Sequence, residues 1–234
     1  MELLRKALEQ AGTPYTAAEE KKFLRFRELV LAWNEKVNLT AIKEPEAFEL
    51  RHFVDSVACC GHRPFEEAAT VADLGTGAGF PGIPLAILYP EKSFLLIDSL
   101  NKRIRIVKEI AEELGLRNVR ALHGRAEELG QQKEYRERFD LCVSRAVAHL
   151  TVLSEYSLPL VKTGGWFLAY KSLEIGEELA ESRRALELLG GRVEMQTPAP
   201  LPELEHQLLW VRKEKPTPAK YPRKAGTPEK NPLK

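Results

Sequence analysis

Residues 71–82 combine one acid with several glycines and are the part of the chain best suited to bind a small ligand. A short apolar run leads to Asp73, and four glycines follow within eight residues: Gly75, Gly77, Gly79 and Gly82. An apolar run before such a break indicates a strand that is buried on both faces of a parallel sheet. Glycines at alternate positions allow a sharp turn and let a ligand approach bare main chain. The pattern therefore predicts a strand, a glycine turn and a helix, which is the nucleotide-binding end of an α/β sheet.

The glycine spacing leaves more than one ligand open. Gly77-x-Gly79-x-x-Gly82 matches the dinucleotide fingerprint, and Asp98 follows at about the expected distance. In that fingerprint the glycines start directly at the strand end, whereas here Asp73 and Gly75 come first. This arrangement resembles motif I of the class I S-adenosylmethionine (SAM) methyltransferases. An acid at the strand end suits the ammonium of SAM, and bare glycine suits its close approach. A dinucleotide site and a purely structural turn remain the alternatives.

The elements after this stretch alternate between strands and helices. Apolar runs predict further strands at residues 94–98, 119–123, 139–144, 166–170, 192–196 and 207–212. Regular alternation with helices implies right-handed crossovers and a doubly wound parallel sheet. Ligands bind at the carboxyl ends of such strands.

The carboxyl ends of these strands deliver polar side chains to one edge of the sheet. They are Asp98, Glu127, Arg145 and Lys171. Asp98 suits two ribose hydroxyls, although it also suits the N-cap of the next helix. Backbone groups at Ala126 and Glu127 could bind an adenine edge, or Glu127 could simply favour a helix start.

The first 60 residues have a helical pattern. Thr16 and Glu19 form a capping box that opens a helix, and residues 46–60 predict another. The second helix carries Arg51, His52 and Asp55 close together, which is typical of a solvated face with a local ion pair.

The end of the chain is basic and rich in proline. From residue 212 onward it holds eight Lys or Arg against two acids, Glu214 and Glu229. This composition predicts a segment without regular structure, which is either a frayed tail or a binding segment for single-stranded RNA. Tyr221, flanked by cations, would then stack a base.

Composition limits the class of protein. The 234 residues are 29% charged and 44% hydrophobic, which are ordinary globular values. No apolar run approaches a membrane span, and the N-terminus lacks the apolar stretch of a signal peptide. The three cysteines form neither a disulfide framework nor a zinc pattern. We therefore expect a cytoplasmic protein with no metal site and no membrane contact.

Several motifs together resemble the glucose-inhibited division protein B family. They are Trp33-Asn34…Asn38-Leu39-Thr40, Arg51-His52-Phe53-Val54-Asp55-Ser56, Gly75 to Gly82, Asp98-Ser99, Ser144-Arg145-Ala146 and Tyr221-Pro222-Arg223. The resemblance implies a 16S ribosomal RNA methyltransferase that modifies guanine N7 in the decoding-centre (530) loop. It implies a class I, Rossmann-like, seven-stranded sheet with a helical extension at residues 1–64, a SAM-binding domain at 65–213 and a basic tail at 214–234. It also shifts the interpretation of Arg51, His52 and Asp55 from a solvated face to function.

The resemblance divides the candidate residues into two sets. We expect SAM to be held by Asp73, Gly75, Gly77, Phe80, Asp98, Ala126, Glu127 and Arg145. We expect RNA to be bound by Asn38, Arg51, His52, Arg145, Lys171, Tyr221, Arg223 and Lys224. The expected partner is 16S rRNA or the small ribosomal subunit, and the expected state is a monomer.

Guanine N7 carries a lone pair and no proton, so its methylation needs no general base. The protein would act by proximity, with Arg145 in a positioning role. A small-molecule methyltransferase, a dinucleotide-dependent oxidoreductase and an RNA-binding protein that keeps SAM only structurally are the alternatives.

Overall fold

The computed structural model describes residues 1–145 and 148–233. Its ten α-helices within that range are α1 Glu2–Gln10, α2 Ala17–Asn34, α3 Pro45–Phe48, α4 Arg63–Glu66, α5 Gly82–Leu88, α6 Asn101–Glu113, α7 Ala126–Leu129, α8 Leu150–Ser157, α9 Gly176–Leu188 and α10 Thr227–Lys230. The strands are β1 Thr70–Leu74, β2 Ser93–Asp98, β3 Val119–His123, β4 Phe139–Arg145, β5 Val161–Ser172, β6 Gly191–Pro198 and β7 His206–Lys213. Ala146, which ends the Ser144-Arg145-Ala146 motif, lies outside the described residues.

The seven strands form one sheet in the order β3-β2-β1-β4-β5-β7-β6. Strands β1 to β5 pair in parallel, and β7 runs antiparallel between β5 and β6. The prediction of a seven-stranded Rossmann-like sheet is confirmed, but the prediction of an all-parallel sheet is wrong. Only a 3₁₀ turn at Pro202–Leu204 lies between β6 and β7, and this short connection makes a hairpin, which requires an antiparallel pair. As a result, β7 begins at the carboxyl edge where β1 to β5 end.

The two faces of the sheet are covered by different parts of the chain. Val71 on β1 belongs to a core with α1, α2, α5 and α6, whereas Ala72 belongs to a second core with α7, α8 and α9. This alternation follows from the period of two in a strand, and it explains why a parallel strand buried on both faces is apolar throughout. The helical extension therefore lies on one face of the sheet and packs against α5 and α6.

The capping box is present as predicted. The Thr16 side chain accepts from Ala18 N, and the Glu19 side chain accepts from Thr16 N. The helix predicted over residues 46–60 is interrupted: α3 continues into a π-helical turn at Glu49–Val54 and a 3₁₀ turn at Val57–Cys59. π-helical turns within helices are frequent at functional sites.

The basic tail packs on the domain, so the prediction of a frayed tail is wrong for residues 214–233. The Arg136 guanidinium donates to four carbonyl oxygens, of which Thr217, Pro218 and Tyr221 contribute three at 2.7–3.3 Å. The fully buried Lys213 donates to the carbonyl of Leu158 and to the Thr217 hydroxyl. These bonds satisfy the backbone of a segment that proline keeps from regular pairing. Despite its prolines, the tail also contains a short helix, α10, near its end.

No helix within the described part of the chain is long and apolar enough to cross a membrane. In residues 1–145 and 148–233 there is likewise no group of three or more His, Cys, Asp or Glu side chains arranged to hold a metal ion. The division of the chain at residues 64 and 213 stays a prediction.

Candidate active site

The glycine loop after β1 is held by the Asp73 carboxylate beneath it. Asp73 is fully buried, and its Oδ2 accepts from the Thr76 hydroxyl at 2.7 Å and from Gly82 N at 2.9 Å. Burial raises the pKa of Asp73 to about 6, although the bonds from Thr76 and Gly82 oppose that shift. Its second oxygen, Oδ1, is buried and has no hydrogen-bond partner among the described residues. Asp73 therefore fixes the shape of the loop.

Three glycines of this loop have the left-handed backbone that favours glycine: φ is +76° at Gly75, +60° at Gly77 and +99° at Gly79. At Gly79 an added Cβ would also lie 2.7 Å from Ile83 Cγ1, whereas at Gly77 its nearest neighbour would be 4.0 Å away. The glycines thus reflect the backbone conformation at Gly77 and Gly79, and at Gly79 they also reflect tight packing.

A cavity of about 110 Å³ lies at the carboxyl ends of β1, β2 and β3. Its lining includes four of the residues predicted to hold SAM: Gly75, Asp98, Ala126 and Glu127. The cavity is smaller than the roughly 300–1,000 Å³ usual for drug-sized ligands, so it can receive one end of a ligand of that size.

Asp98 joins the cavity to the glycine loop. Its Oδ2 accepts from Gly77 N at 3.0 Å, and its Oδ1 accepts from Leu100 N at 2.8 Å at the start of α6. The carboxylate is only 4% exposed, and Arg103 Nη1 lies 3.6 Å from Oδ2. Asp98 therefore stabilises the turn before α6 and orders the glycine loop, and its remaining lone pairs stay available to hydroxyl donors.

Glu127 lies on the opposite wall and is also 4% exposed. Its Oε1 accepts from Gly226 N in the tail at 2.9 Å, and Arg125 Nη2 is 3.7 Å away. Ala126 is the first residue of α7, where backbone N–H groups have no partner within the helix. This wall thus offers both acceptors and free backbone donors to a nucleoside edge.

A second cluster surrounds Phe80, the aromatic residue of the glycine loop. The His52 ring stacks on the Phe80 ring with 4.5 Å between centroids and 11° between planes. The Arg145 guanidinium lies over the same ring at 5.4 Å from its centroid. Strand β4 delivers Arg145 and the π-helical turn delivers His52, so the sheet and the helical extension meet at this ring.

A buried carboxylate orients Arg145. Asp55 Oδ2 accepts from Arg145 Nη1, which also donates to the Arg51 carbonyl at 3.1 Å, and Asp55 Oδ1 lies 2.9 Å from His206 Nε2. Burial alone would raise the pKa of Asp55, but the close contact with His206 and the Arg145 charge lower it below its usual value. Burial opposes protonation of His206 as well, yet the contact with Asp55 raises the pKa of that imidazole. Asp55 is therefore a charged anchor between Arg145 and His206.

His52 is held neutral in this cluster. Burial and the neighbouring Arg145 charge lower its pKa to about 4. Its Nε2 lies 2.8 Å from the Thr40 hydroxyl, and its Nδ1 is buried without a partner in the described structure.

The comparisons with known proteins agree with one another. The family model described as "rRNA small subunit methyltransferase G" (GidB) matches residues 19–203. Among curated proteins, the ribosomal RNA small subunit methyltransferase G of Exiguobacterium sibiricum is 47% identical, over 97% of this chain and 96% of that protein. The protein of the same name from Alkaliphilus metalliredigens is 46% identical, over 99% of this chain and 98% of the relative.

The chain belongs to the rRNA small subunit methyltransferase G family. The resemblance drawn from the motifs is thereby confirmed, and with it the enzyme class, a methyltransferase, and the cofactor, SAM. Among solved structures, an O-methyltransferase from Bacillus cereus in complex with SAH has a TM-score of 0.54 at 20% identity, covering 86% of this chain and 92% of that one. That likeness supports the class I fold.

The residues predicted to hold SAM lie in two places in the structure. Gly75, Asp98, Ala126 and Glu127 share one cavity, whereas Phe80 and Arg145 lie in the second cluster with His52. Asp73 and Gly77 support the loop that joins the two places. Asn38, Arg51 and Lys224 are exposed on the surface of the domain.

Three side chains predicted to bind RNA are engaged within the protein, and their roles in RNA binding stay predictions. Lys171 Nζ donates to the Ala148 carbonyl at 2.7 Å and to Glu178 Oε1 at 2.6 Å, which ties the start of α8 to α9. The Tyr221 ring is 6% exposed inside the second core, so it offers no face to a base. Arg223 forms a bidentate pair with Glu155, which is 1% exposed.

Sequence reasoning missed two contributors to these clusters. His206 starts an antiparallel strand, and an all-parallel sheet would have placed it at the wrong edge. Glu229 belongs to the tail yet lines the cavity at the ends of β1, β2 and β3. The one signal in the sequence was a titratable residue among apolar neighbours, as at Glu155 and His206. Such a residue needs a charged or hydrogen-bonding partner if it is buried.

Proposed function

We propose that this methyltransferase transfers a methyl group to N7 of a guanine in 16S rRNA, in the decoding-centre (530) loop that the family resemblance implies. The observation that carries the proposal is the cluster at Phe80: a cation and a neutral ring meet there, and that ring, His52, is a poor base because its pKa is lowered to about 4. We place the enzyme in the cytoplasm as a monomer that acts on 16S rRNA or on the small ribosomal subunit.

The residues around the cavity fit SAM. When bound, SAM supplies a methyl group activated by its sulfonium charge, and the N7 lone pair forms the new C–N bond as the C–S bond breaks, with no proton transferred. Asp98 and Glu127 offer carboxylate acceptors to hydroxyl or amino donors of a nucleoside, and Gly75 brings bare backbone to the same place. The unpartnered buried oxygen of Asp73 supports a cationic ligand over this loop. These features support a nucleoside-bearing cation as the ligand.

The second cluster suits an acceptor that does not need deprotonation. His52 is a poor base because its pKa is about 4 and its Nε2 already lies in hydrogen-bond contact with Thr40. Asp55 is bridged between Arg145 and His206. A substrate O–H or N–H group would have to lose a proton on methylation, whereas guanine N7 does not. The side chains of this cluster therefore favour a ring nitrogen with a lone pair and no proton, and among such positions guanine N7 is the one that the family resemblance implies.

Arg145 serves in this proposal as a positioning residue. Asp55 fixes its guanidinium, and Phe80 supports one face of it at 5.4 Å. A planar cation held in this way can stack on a base or hydrogen bond to its edge. The target guanine must leave its stack to reach such a place, which favours a loop nucleotide.

Exposed cations near the cavity supply the RNA contacts. A groove of about 500 Å³ runs beside Glu127 and is lined in part by Lys220, Arg223 and Lys224. Arg223 is paired with Glu155, so Lys220 and Lys224 carry the available charge of this groove. Arg51 and Asn38 extend the RNA surface on the side of the helical extension. Each phosphate that these residues neutralise adds nearly one unit to the salt dependence of RNA binding.

The test is transfer of tritium from labelled SAM to 16S rRNA and to small ribosomal subunits prepared without prior methylation. We expect incorporation of one methyl group at a guanine, detected as N7-methylguanosine by nucleoside analysis. A matched RNA that carries 7-deazaguanine at the target position lacks the N7 lone pair and should accept no methyl group. Transfer to that RNA, or to mononucleotides as efficiently as to rRNA, would refute the proposed acceptor.

A further inference from the structure

The C-terminal tail reaches the cofactor cavity, where it contributes an acid. Glu229, on the short helix α10, lines the cavity together with Asp98 and Glu127. These three carboxylates come from α10, the end of β2 and the start of α7, so they are far apart in the chain. The cavity wall is incomplete without the tail.

The tail is held in this place by bonds at both ends of the segment. Gly226 N donates to Glu127 Oε1 at 2.9 Å, and the Tyr156 hydroxyl donates to Glu229 Oε1 at 3.2 Å. Gly226 has φ +77°, a left-handed conformation that lets the chain turn toward the cavity. Upstream, Arg136 and Glu155 hold residues 217–223. Glu229 therefore sits at a defined position.

Glu229 differs from the other two acids in its exposure: Asp98 and Glu127 are each 4% exposed, whereas Glu229 is an exposed residue. Both oxygens of Asp98 accept backbone N–H groups, and Glu127 accepts from Gly226. Within residues 1–145 and 148–233, Tyr156 is the hydrogen-bond donor to Glu229, and that bond uses one oxygen. Glu127 and Glu229 thus each keep one oxygen free of donors among the described residues, and because Glu229 is exposed its second oxygen is the more accessible acceptor.

We propose that Glu229 is a cofactor-binding residue, that it accepts a hydrogen bond from an amino or hydroxyl donor of the nucleoside part of SAM, and that Tyr156 positions it. This inference rests on the SAM cofactor of the proposed function. The tail then has a role in cofactor affinity that is separate from any RNA contact by Lys220 and Lys224.

The test is calorimetric titration of the full-length protein with SAM and, separately, with S-adenosylhomocysteine. Glu229→Ala should raise both Kd values by about tenfold or more, because a hydrogen bond to a charged group is lost. Tyr156→Phe should raise them less, and the double variant should lose little beyond Glu229→Ala, since Tyr156 acts through Glu229. The matched control is Glu91→Ala, an exposed acid just before β2 at the amino edge of the sheet, where the same charge change should leave both Kd values unchanged.

The outcomes separate the inference from the proposal on which it rests. Wild-type protein that binds neither compound would overturn the cofactor assignment itself. Wild-type binding with Glu229→Ala equal to Glu91→Ala would overturn only the role of Glu229. Weakened binding of SAM alone would indicate an effect on the sulfonium charge and would overturn the nucleoside contact. Tighter binding by Glu229→Ala would mean that the tail obstructs the cavity, which also contradicts the inference. Thermal unfolding of each variant checks that the fold is retained.

Discussion

Arg223 is the residue at which a structural role and an RNA-binding role make opposite predictions. Its guanidinium donates to both oxygens of Glu155, at 2.6–3.2 Å, and its backbone N–H donates to Glu155 Oε1 at 2.8 Å. Glu155 lies on α8 and is 1% exposed. Arg223→Ala would remove three of these four bonds and leave a buried carboxylate that only one backbone donor stabilises.

Breaking a buried pair in this way costs about 3–5 kcal/mol. For a domain of this size, each kcal/mol lowers Tm by roughly 2–4 °C, so Arg223→Ala should melt about 6–20 °C below the wild type. The assay is thermal unfolding followed by circular dichroism, without RNA or SAM. The double variant Glu155→Met/Arg223→Met should recover much of the loss, because an apolar pair leaves no buried charge.

Lys224→Ala is the matched control, since it removes the same charge from the next residue, which is exposed. It should leave Tm unchanged within about 1 °C and reduce the salt dependence of RNA binding by nearly one unit of slope. If Arg223→Ala melts like the wild type and instead flattens that salt dependence, the ion pair has no structural weight and our account of the tail is refuted.

Three further predictions concern the loop and its acids. Gly79→Ala should destabilise the fold by about 1–3 kcal/mol in urea unfolding, since the added Cβ would lie 2.7 Å from Ile83 Cγ1. Gly77→Ala should cost only about 1 kcal/mol, because its positive φ is the one source of strain. Equal costs for the two variants would contradict this explanation. Asp98→Ala should weaken SAM binding by about 1.5–3 kcal/mol in calorimetry, and unchanged affinity would remove Asp98 from the site. The pKa of Asp73 is raised to about 6, so between roughly pH 4 and 6 the folded state binds more protons than the unfolded state and wild-type stability falls as pH rises. Asp73→Asn lacks this dependence, so its unfolding free energy relative to wild type should increase by up to about 3 kcal/mol from pH 4 to pH 7; a constant difference would show that burial does not raise the pKa.

Much of the sheet was predictable because strand and helix periods are local properties. The run that ends in Asp73 and the glycines after it specify a buried strand and a turn with positive φ, and both are present. The direction of β7 was not predictable from its own residues, because an apolar strand has the same pattern in either direction. That error moved His206 away from the site, although its side chain contacts Asp55.

The tail shows a different limit of sequence reasoning. Proline density and positive charge indicate a disordered segment when the partner groups are unknown. Here the partners of the tail lie about 70 to 100 residues earlier, among them Arg136, Glu155 and Glu127. Such long-range pairs leave no local pattern, so the contribution of Glu229 to the cavity became visible only with the fold.

Phe80 has a consequence for how the two ligands of the enzyme affect each other. It belongs to the loop that Asp73 shapes, yet its ring packs on His52 and on Phe26 of α2, 5.0 Å away. If RNA binds one arrangement of the helical extension more tightly, the packing of Phe80 passes that preference to the conformation of the loop. Thermodynamic reciprocity then requires that SAM change the affinity for RNA by the same factor by which RNA changes the affinity for SAM. Phe80 is thus a side chain through which the binding of either ligand can affect the binding of the other.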